Sequence, residues 1–177
     1  MILELGCGTG KNTQLLAAIG EQVLAFDFSD GMIDRARSKL RLENVTFTVA
    51  DITRRWDCED QSVDLVVCNL VLEHIHDLSF IFSESSRVLR DGGKFFVCEL
   101  HPFRQYLGTK AVFERDQRTS EIEAFVHDIS DFVGSAHDNG LTLATMREWW
   151  HEEDAEKPPR LVSFVFEKQA RALRPSL

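Results

Sequence analysis

Apolar and polar positions alternate along this chain with two different periods, and the period changes mark its elements. Ile2 to Leu5 is a short apolar run closed by glycines, a strand entering a turn. From Asn12 to Ile19, Leu15, Leu16 and Ile19 recur at helical spacing, and Gly20 stops the pattern. Val23 to Phe28 predicts the second strand. Ser29 then caps a helix whose inner face is Met32, Ile33, Ala36 and Leu40, with Asp30 and Asp34 near its start and Arg35, Arg37, Lys39 and Arg41 toward its end. Val45, Phe47 and Val49 alternate with threonines, a half-buried strand. Val63 to Cys68 is more continuously apolar, as a central strand covered on both faces should be. Leu78, Ile81, Phe82, Ser85, Val88 and Leu89 form a helical stripe that Asp91-Gly92-Gly93 breaks, and Lys94 to Leu100 is the next strand. Ile129, Phe132, Val133 and Ala136 mark a further helix, closed near Gly140. Leu141 to Trp149 and Leu161 to Phe166 pair as an antiparallel hairpin across a solvated loop, residues 151–160.

Strands alternating with helices predict an α/β fold: Rossmann-like, doubly wound, with a mostly parallel sheet and a C-terminal antiparallel hairpin. At 177 residues the chain is close to one domain's worth, taken as residues 1–170 with a tail at 171–177. Residues 102–127 form a long connection, and long connections tend to be functional. In it, Ala111-Val112-Phe113 and Ile122-Glu123-Ala124-Phe125-Val126 flank a polar turn and predict a small hairpin. Phe103, Tyr106, Phe113 and Phe125 give it an aromatic inner face, and the whole reads as a substrate cover, with Phe103 and Tyr106 as substrate contacts.

Composition narrows the function classes. There are 20 basic and 29 acidic residues, a net charge of -9, which disfavours passive nucleic-acid binding. No apolar run is long enough to span a membrane. Cys7, Cys58, Cys68 and Cys98 form no C-x-x-C pair, so no metal site is expected, and Cys68 and Cys98, which lie in apolar strand-like runs, read as buried thiols in a reducing, cytoplasmic compartment. No signal peptide precedes the first strand.

The chemistry gathers at the carboxyl ends of the strands. Glu4-Leu5-Gly6-Cys7-Gly8-Thr9-Gly10 joins the first strand to the first helix, and its glycines let the backbone turn sharply beside a ligand. A P-loop is excluded, because Leu5 stands at its first glycine and Asn12 at its magnesium hydroxyl. A dinucleotide loop is weakened, because the third glycine comes one residue early. The remaining option is a G-x-G-x-G loop preceded by an acidic residue, suited to a ligand with both a carboxylate and an ammonium. The glycine amides and the helix start would meet the carboxylate, and Glu4 the positive end. Asp27, closing the second strand, can accept from both hydroxyls of a ribose. Asp51, after the third strand, can accept from an adenine amino group, with Phe28, Met32 or Ile52 against the ring. His74 and His101 follow the fourth and fifth strands, and either imidazole can act as a base.

The sequence resembles the class I S-adenosylmethionine-dependent methyltransferases of the small-molecule, type 11 sort. The resemblance rests on Glu4 to Gly10, Asp27-Phe28-Ser29 with Met32, Ala50-Asp51-Ile52, Val63 to Val67, Leu72-Glu73-His74-Ile75 and Arg87 to Gly93, in that order. It implies S-adenosyl-L-methionine as cofactor and a small-molecule oxygen, nitrogen or carbon acceptor. Carried over, Glu4, Gly6, Cys7, Gly8 and Gly10 hold the methionine part, Asp27 the ribose, and Asp51 and Ile52 the adenine, while Asn69 and Leu70 lie beside the donor sulfur. The family usually has a helical segment ahead of the first strand. This chain opens inside that strand, so weaker cofactor binding is expected. Asn69 to Leu72 is not Asn-Pro-Pro-Tyr, which removes the signature of the DNA-amino and glutamine subclasses. Two alternatives stay open: a nicotinamide-dependent oxidoreductase, and a non-catalytic remnant of the fold that binds a partner. Oligomeric state is left open.

Overall fold

The computed structural model describes residues 1–106, 114–115, 118–119, 124–154 and 157–170. In chain order the elements are β1 (Ile2–Leu5), α1 (Thr13–Ile19), β2 (Val23–Asp27), α2 (Asp30–Lys39), β3 (Val45–Val49), β4 (Val63–Asn69), α3 (Leu78–Val88), β5 (Leu89–Leu100), α4 (Pro102–Tyr106), β6 (Glu114–Arg115), β7 (Arg118–Thr119), α5 (Ile129–Asp138), β8 (Leu141–Trp149) and β9 (Leu161–Lys168). Single 3-10 turns sit at Leu72–His74 and Glu152–Asp154. Seven strands form one sheet in the order β3-β2-β1-β4-β5-β9-β8. β1 to β5 run parallel, and β9 lies antiparallel between β5 and β8. This is the expected doubly wound sheet with its antiparallel finish.

Why β1 is central can be read from its four residues, all buried. Leu3 and Leu5 join the larger core with α3 and α5, where Phe82 stands edge-on to Phe95 at 5.1 Å and Phe132 stacks on Phe164 at 5.1 Å. Ile2 turns to the other face and packs with Leu16 of α1 and Val23, while Ile33 and Ala36 of α2 cover Ala25 and Phe47. The period of two thus places Glu4 on the α1 side, where it meets Thr13. Ser29 caps α2 through the Met32 N–H, as its position predicts.

Several elements depart from the sequence reading. α1 begins at Thr13 and buries only Thr13 and Leu16; Leu15 and Ile19 are exposed. α3 already ends at Val88 and β5 begins at Leu89, so Asp91-Gly92-Gly93, expected to break the helix, lies inside the strand and is absorbed as a shift of register, from Val63 opposite Leu89 to Leu65 opposite Lys94. Gly92, at φ 77°, makes that shift possible. A short helix, α4, follows β5 where only loop was expected. β6 and β7 pair antiparallel, inside the span predicted to be a polar turn; of the hairpin arms predicted at 111–113 and 122–126, residues 111–113 and 122–123 lie outside the described residues, as does the tail at 171–177, and residues 124–126 form no strand. Residues 151–160 are not simply solvated. Asp154 is buried there and pairs with Arg104 of α4 at 2.9 Å, Arg160 at 2.6 Å and Lys157 at 3.3 Å.

Candidate active site

The chain crosses from β3 to β4, on the far side of β1, and so reverses the direction in which strands are added. In sheets of this kind a ligand crevice opens at that reversal, beyond the carboxyl ends of the strands. Its first wall is the loop after β1. Gly6, Gly8 and Gly10 all have positive φ, at 68°, 53° and 82°. A Cβ on Gly6 would fall 2.3 Å from a Val71 methyl, so the loop after β1 packs directly on the segment after β4. A Cβ on Gly8 would meet nothing within 4 Å, so this turn faces open space. The Cys7 N–H donates to the Phe26 carbonyl and the Gly10 N–H to the Cys7 carbonyl, which holds the loop in shape. Because α1 starts only at Thr13, the amides nearest the crevice belong to turn residues and not to the first turn of the helix.

Glu4 lies beneath this loop, buried, and accepts from the Thr13 hydroxyl at 2.5 Å. Burial raises its carboxyl above the ordinary range, the Thr13 bond opposes that, and the nearby Asp27 charge adds to it. Cys7 is also buried, and its thiol is pushed up to about 12 by burial and by the Glu4 and Asp27 carboxylates, so it is no nucleophile. Asp27 closes β2 and is nearly buried. Its Oδ2 accepts from the Gly8 N–H at 2.8 Å and its Oδ1 from the Ser29 N–H at 2.9 Å. It therefore ties the glycine loop to the start of α2, and each oxygen keeps a further lone pair. Phe28, next in sequence, is 82% exposed, and Met32 is half-buried.

Asp51 is exposed. It accepts from the Thr53 N–H at 3.0 Å and hydroxyl at 2.6 Å and pairs with Arg54 at 3.2 Å, contacts that hold its carboxyl below the usual range. It closes a turn here. Ile52 is buried in the main core, and its carbonyl accepts from the Trp56 indole. The adenine neighbours named from sequence therefore divide: Phe28 stands in the open, whereas Ile52 is packed inward.

The second wall follows β4. Asn69 is half-buried, and Leu70 is exposed at φ 56°, a left-handed conformation that is strained for a leucine. The Leu70 N–H donates to the Cys98 carbonyl, and the next two amides, of Val71 and Leu72, both donate to Glu99 Oε1 at 3.0 Å. Glu99 is 2% exposed, and burial pushes its carboxyl up to about 7 against the pull of those amides. Glu73, in the 3-10 turn, is 5% exposed and likewise raised by burial, with His74 opposing. His74 is half-buried, its Nε2 3.8 Å from Glu73 Oε1.

His101 is buried with both ring nitrogens engaged. Nδ1 accepts from the Phe103 N–H at 3.2 Å, and Nε2 faces Glu148 of β8 at 3.0 Å. A base role would require one of these bonds to be exchanged. Phe103 and Tyr106 project from α4, 52% and 60% exposed. Sequence reasoning missed Glu99, although a lone carboxylate in the run Phe95-Phe96-Val97-Cys98-Glu99-Leu100 is a visible signal. It also missed the acidic and basic contacts of Asp154, which no local pattern carries.

A family model described as "Methyltransferase domain" matches residues 3–97, more than half of the chain. The chain belongs to this methyltransferase family, whose members use S-adenosylmethionine. It is 37% identical over 99 residues to a demethylmenaquinone methyltransferase of Clavibacter sepedonicus, covering 55% of this chain and 40% of that protein. It is 28% identical over 153 residues to a ubiquinone biosynthesis O-methyltransferase of Methylococcus capsulatus, covering 81% and 64%. The chain thus spans well under two thirds of the first of these relatives. Among solved structures, an S-adenosylmethionine-dependent methyltransferase from Mesorhizobium loti superposes with a TM-score of 0.79 at 18% identity, over 94% of this chain and 90% of that one, and supports the fold.

Proposed function

We propose that this chain carries out S-adenosylmethionine-dependent methyl transfer to a small-molecule acceptor. The observation that carries the reading is the Asp27 carboxylate, which links the open glycine turn to Ser29 at the start of α2, beside the exposed Phe28, at the strand-order reversal. A nucleoside with an amino-acid tail fits this arrangement: carboxylate-facing turn amides, a spare pair of acceptors on Asp27, and an uncovered aromatic ring. When bound, S-adenosylmethionine supplies the electrophilic methyl of its sulfonium.

On this reading Gly6, Cys7, Gly8 and Gly10 shape the seat of the methionine part, and Glu4 fixes that seat from below through Thr13. Asp27 takes the ribose hydroxyls. Phe28 and Met32 lie against the adenine, and Asp51 and the backbone of Ile52 stand at its rim. Asn69 and Leu70 border the sulfur side. Phe103 and Tyr106 face the acceptor and help exclude water, and His74 is the histidine placed to take a proton where the acceptor must lose one. The leaving thioether departs neutral, so no acid is needed for it. Holding the acceptor in line and excluding water accounts for most of the acceleration, up to about 7–11 kcal/mol in favourable cases. Among the described residues no helix is long and apolar enough to cross a membrane, and Cys7, Cys58, Cys68 and Cys98 are free thiols, which fits a cytoplasmic setting.

The test is calorimetry with S-adenosylhomocysteine. Binding to the chain is expected, and Asp27→Ala should weaken it about 10- to 100-fold, the worth of hydrogen bonds to a charged group. Absence of binding to the folded chain, or an unchanged affinity in Asp27→Ala, overturns the reading.

A further inference from the structure

Glu73 and Glu99 line one small pocket together with Leu100, Phe125, His127 and Phe132, with room for roughly one water molecule. The two carboxylates come from different elements, the turn after β4 and the end of β5. Each keeps one oxygen buried with no hydrogen-bond partner, Glu73 Oε2 and Glu99 Oε2. Such groups are costly to leave unsatisfied, and two of them in one cavity call for positive charge or for donors. Among the described residues no lysine or arginine pairs with either carboxylate. His74 stands 3.8 Å from Glu73 Oε1, on the opposite oxygen. His127 has its Nε2 engaged with the Ile75 carbonyl at 2.8 Å. The Phe125 N–H donates to the Glu73 carbonyl at 2.7 Å, which fixes the aromatic side of the pocket to the acidic side. Leu100, Phe125 and His127 are only half-buried, so the pocket is reached from the surface.

We propose that this pocket is a subsite for an ammonium group, so that the methyl acceptor is a small molecule carrying a protonated amine. The assignment rests on the methyltransferase reading above and names its substrate class. An ammonium head is about the size of the water the pocket can hold. It is donor-only, where Glu73 and Glu99, once ionised, offer acceptors only, and the faces and edges of Phe125 and Phe132 suit the methylene next to it. A hydrated divalent cation suits the pocket poorly, because such ions retain several waters. The described side chains also form no cluster of three or more metal-ligating groups. The pocket adjoins the cofactor side: Val71, whose amide Glu99 holds, is the residue that packs on Gly6. An amine seated there anchors the acceptor beside the crevice.

The experiment uses benzylamine and benzyl alcohol as probes, titrated calorimetrically into the chain saturated with S-adenosylhomocysteine. Benzylammonium is expected to bind about tenfold or more tightly than the alcohol, and Glu73→Gln and Glu99→Gln are each expected to remove most of that preference. Equal affinities, no binding of either probe, or a preference that survives both substitutions overturns the proposal. The comparison in the unsubstituted chain stands even if a variant fails to fold. Binding of S-adenosylhomocysteine alone reports on the methyltransferase reading: if it binds while the amine preference is absent, only the subsite is lost.

Discussion

Gly6, Leu70 and Glu99 each hold a conformation or a charge that an ordinary residue at an ordinary site would avoid. At Gly6 both φ and the contact with Val71 demand the absence of a side chain. Gly6→Ala is therefore expected to lower stability by about 1–3 kcal/mol in urea denaturation and to erase the thermal shift given by S-adenosylhomocysteine. Leu70 has a side chain where the backbone favours none. Leu70→Gly relieves that strain and should leave the urea midpoint unchanged or higher, whereas a β-branched Leu70→Val should lower it. Glu99 titrates near 7 in the fold, raised by burial and by facing Glu73, with His127 lining the same pocket. Unfolded, it titrates near ~4.3. Between these values the unfolded chain has released a proton that the folded chain retains, so this group's contribution to stability falls as pH rises from about 4.3 to about 7, by roughly 4 kcal/mol in all. Glu99→Gln has no such proton to lose. Urea midpoints at about pH 5 and about pH 8 should therefore differ less in Glu99→Gln than in the unsubstituted chain, with Glu99→Gln the more stable at the higher pH.

α4 is too short to be stable alone, and its place depends on the loop between β8 and β9. Arg104 reaches Asp154 and the Pro158 carbonyl, and Arg160 and Lys157 complete the cage around the same carboxylate. These cations hold the Asp154 carboxyl down to about 2. The stability it contributes is thus present above the ordinary aspartate range and is lost as pH falls toward 2. Asp154→Asn is expected to lower the melting temperature at neutral pH and to reduce the loss seen on acidification, measured by thermal melts across that range. The same elements explain what sequence could and could not reveal. β1, β2, β4 and α2 were legible because their own residues carry the period and the caps. The exposure of Leu15 and Ile19 was not, since a helical stripe does not say whether anything covers it. Nor was the burial of Asp154, which depends on an arginine fifty positions away that only the fold brings near. Glu99 lay between these cases: its charge within an apolar strand was visible, but the amides that receive it belong to the turn after β4.

Across the whole molecule, the strand order places every candidate residue at one end of the sheet. Asp27, Asp51, Asn69 and Glu99 close β2, β3, β4 and β5 or follow them directly, and the glycine loop follows β1. The candidate positions were therefore legible as strand ends, while their partners were fixed only by which strands became neighbours. Val71 has a consequence at this scale. It is the partition between two compartments, with the glycine turn pressed on its side chain and the acidic pocket fastened to its amide. Two guests in adjoining rooms with a wall one residue thick do not arrive independently, because whatever steadies the wall for the first lowers the ordering cost for the second. Turnover by such a molecule should follow a preferred order of arrival, nucleoside before acceptor, and the acceptor's grip should slacken once the nucleoside has gone.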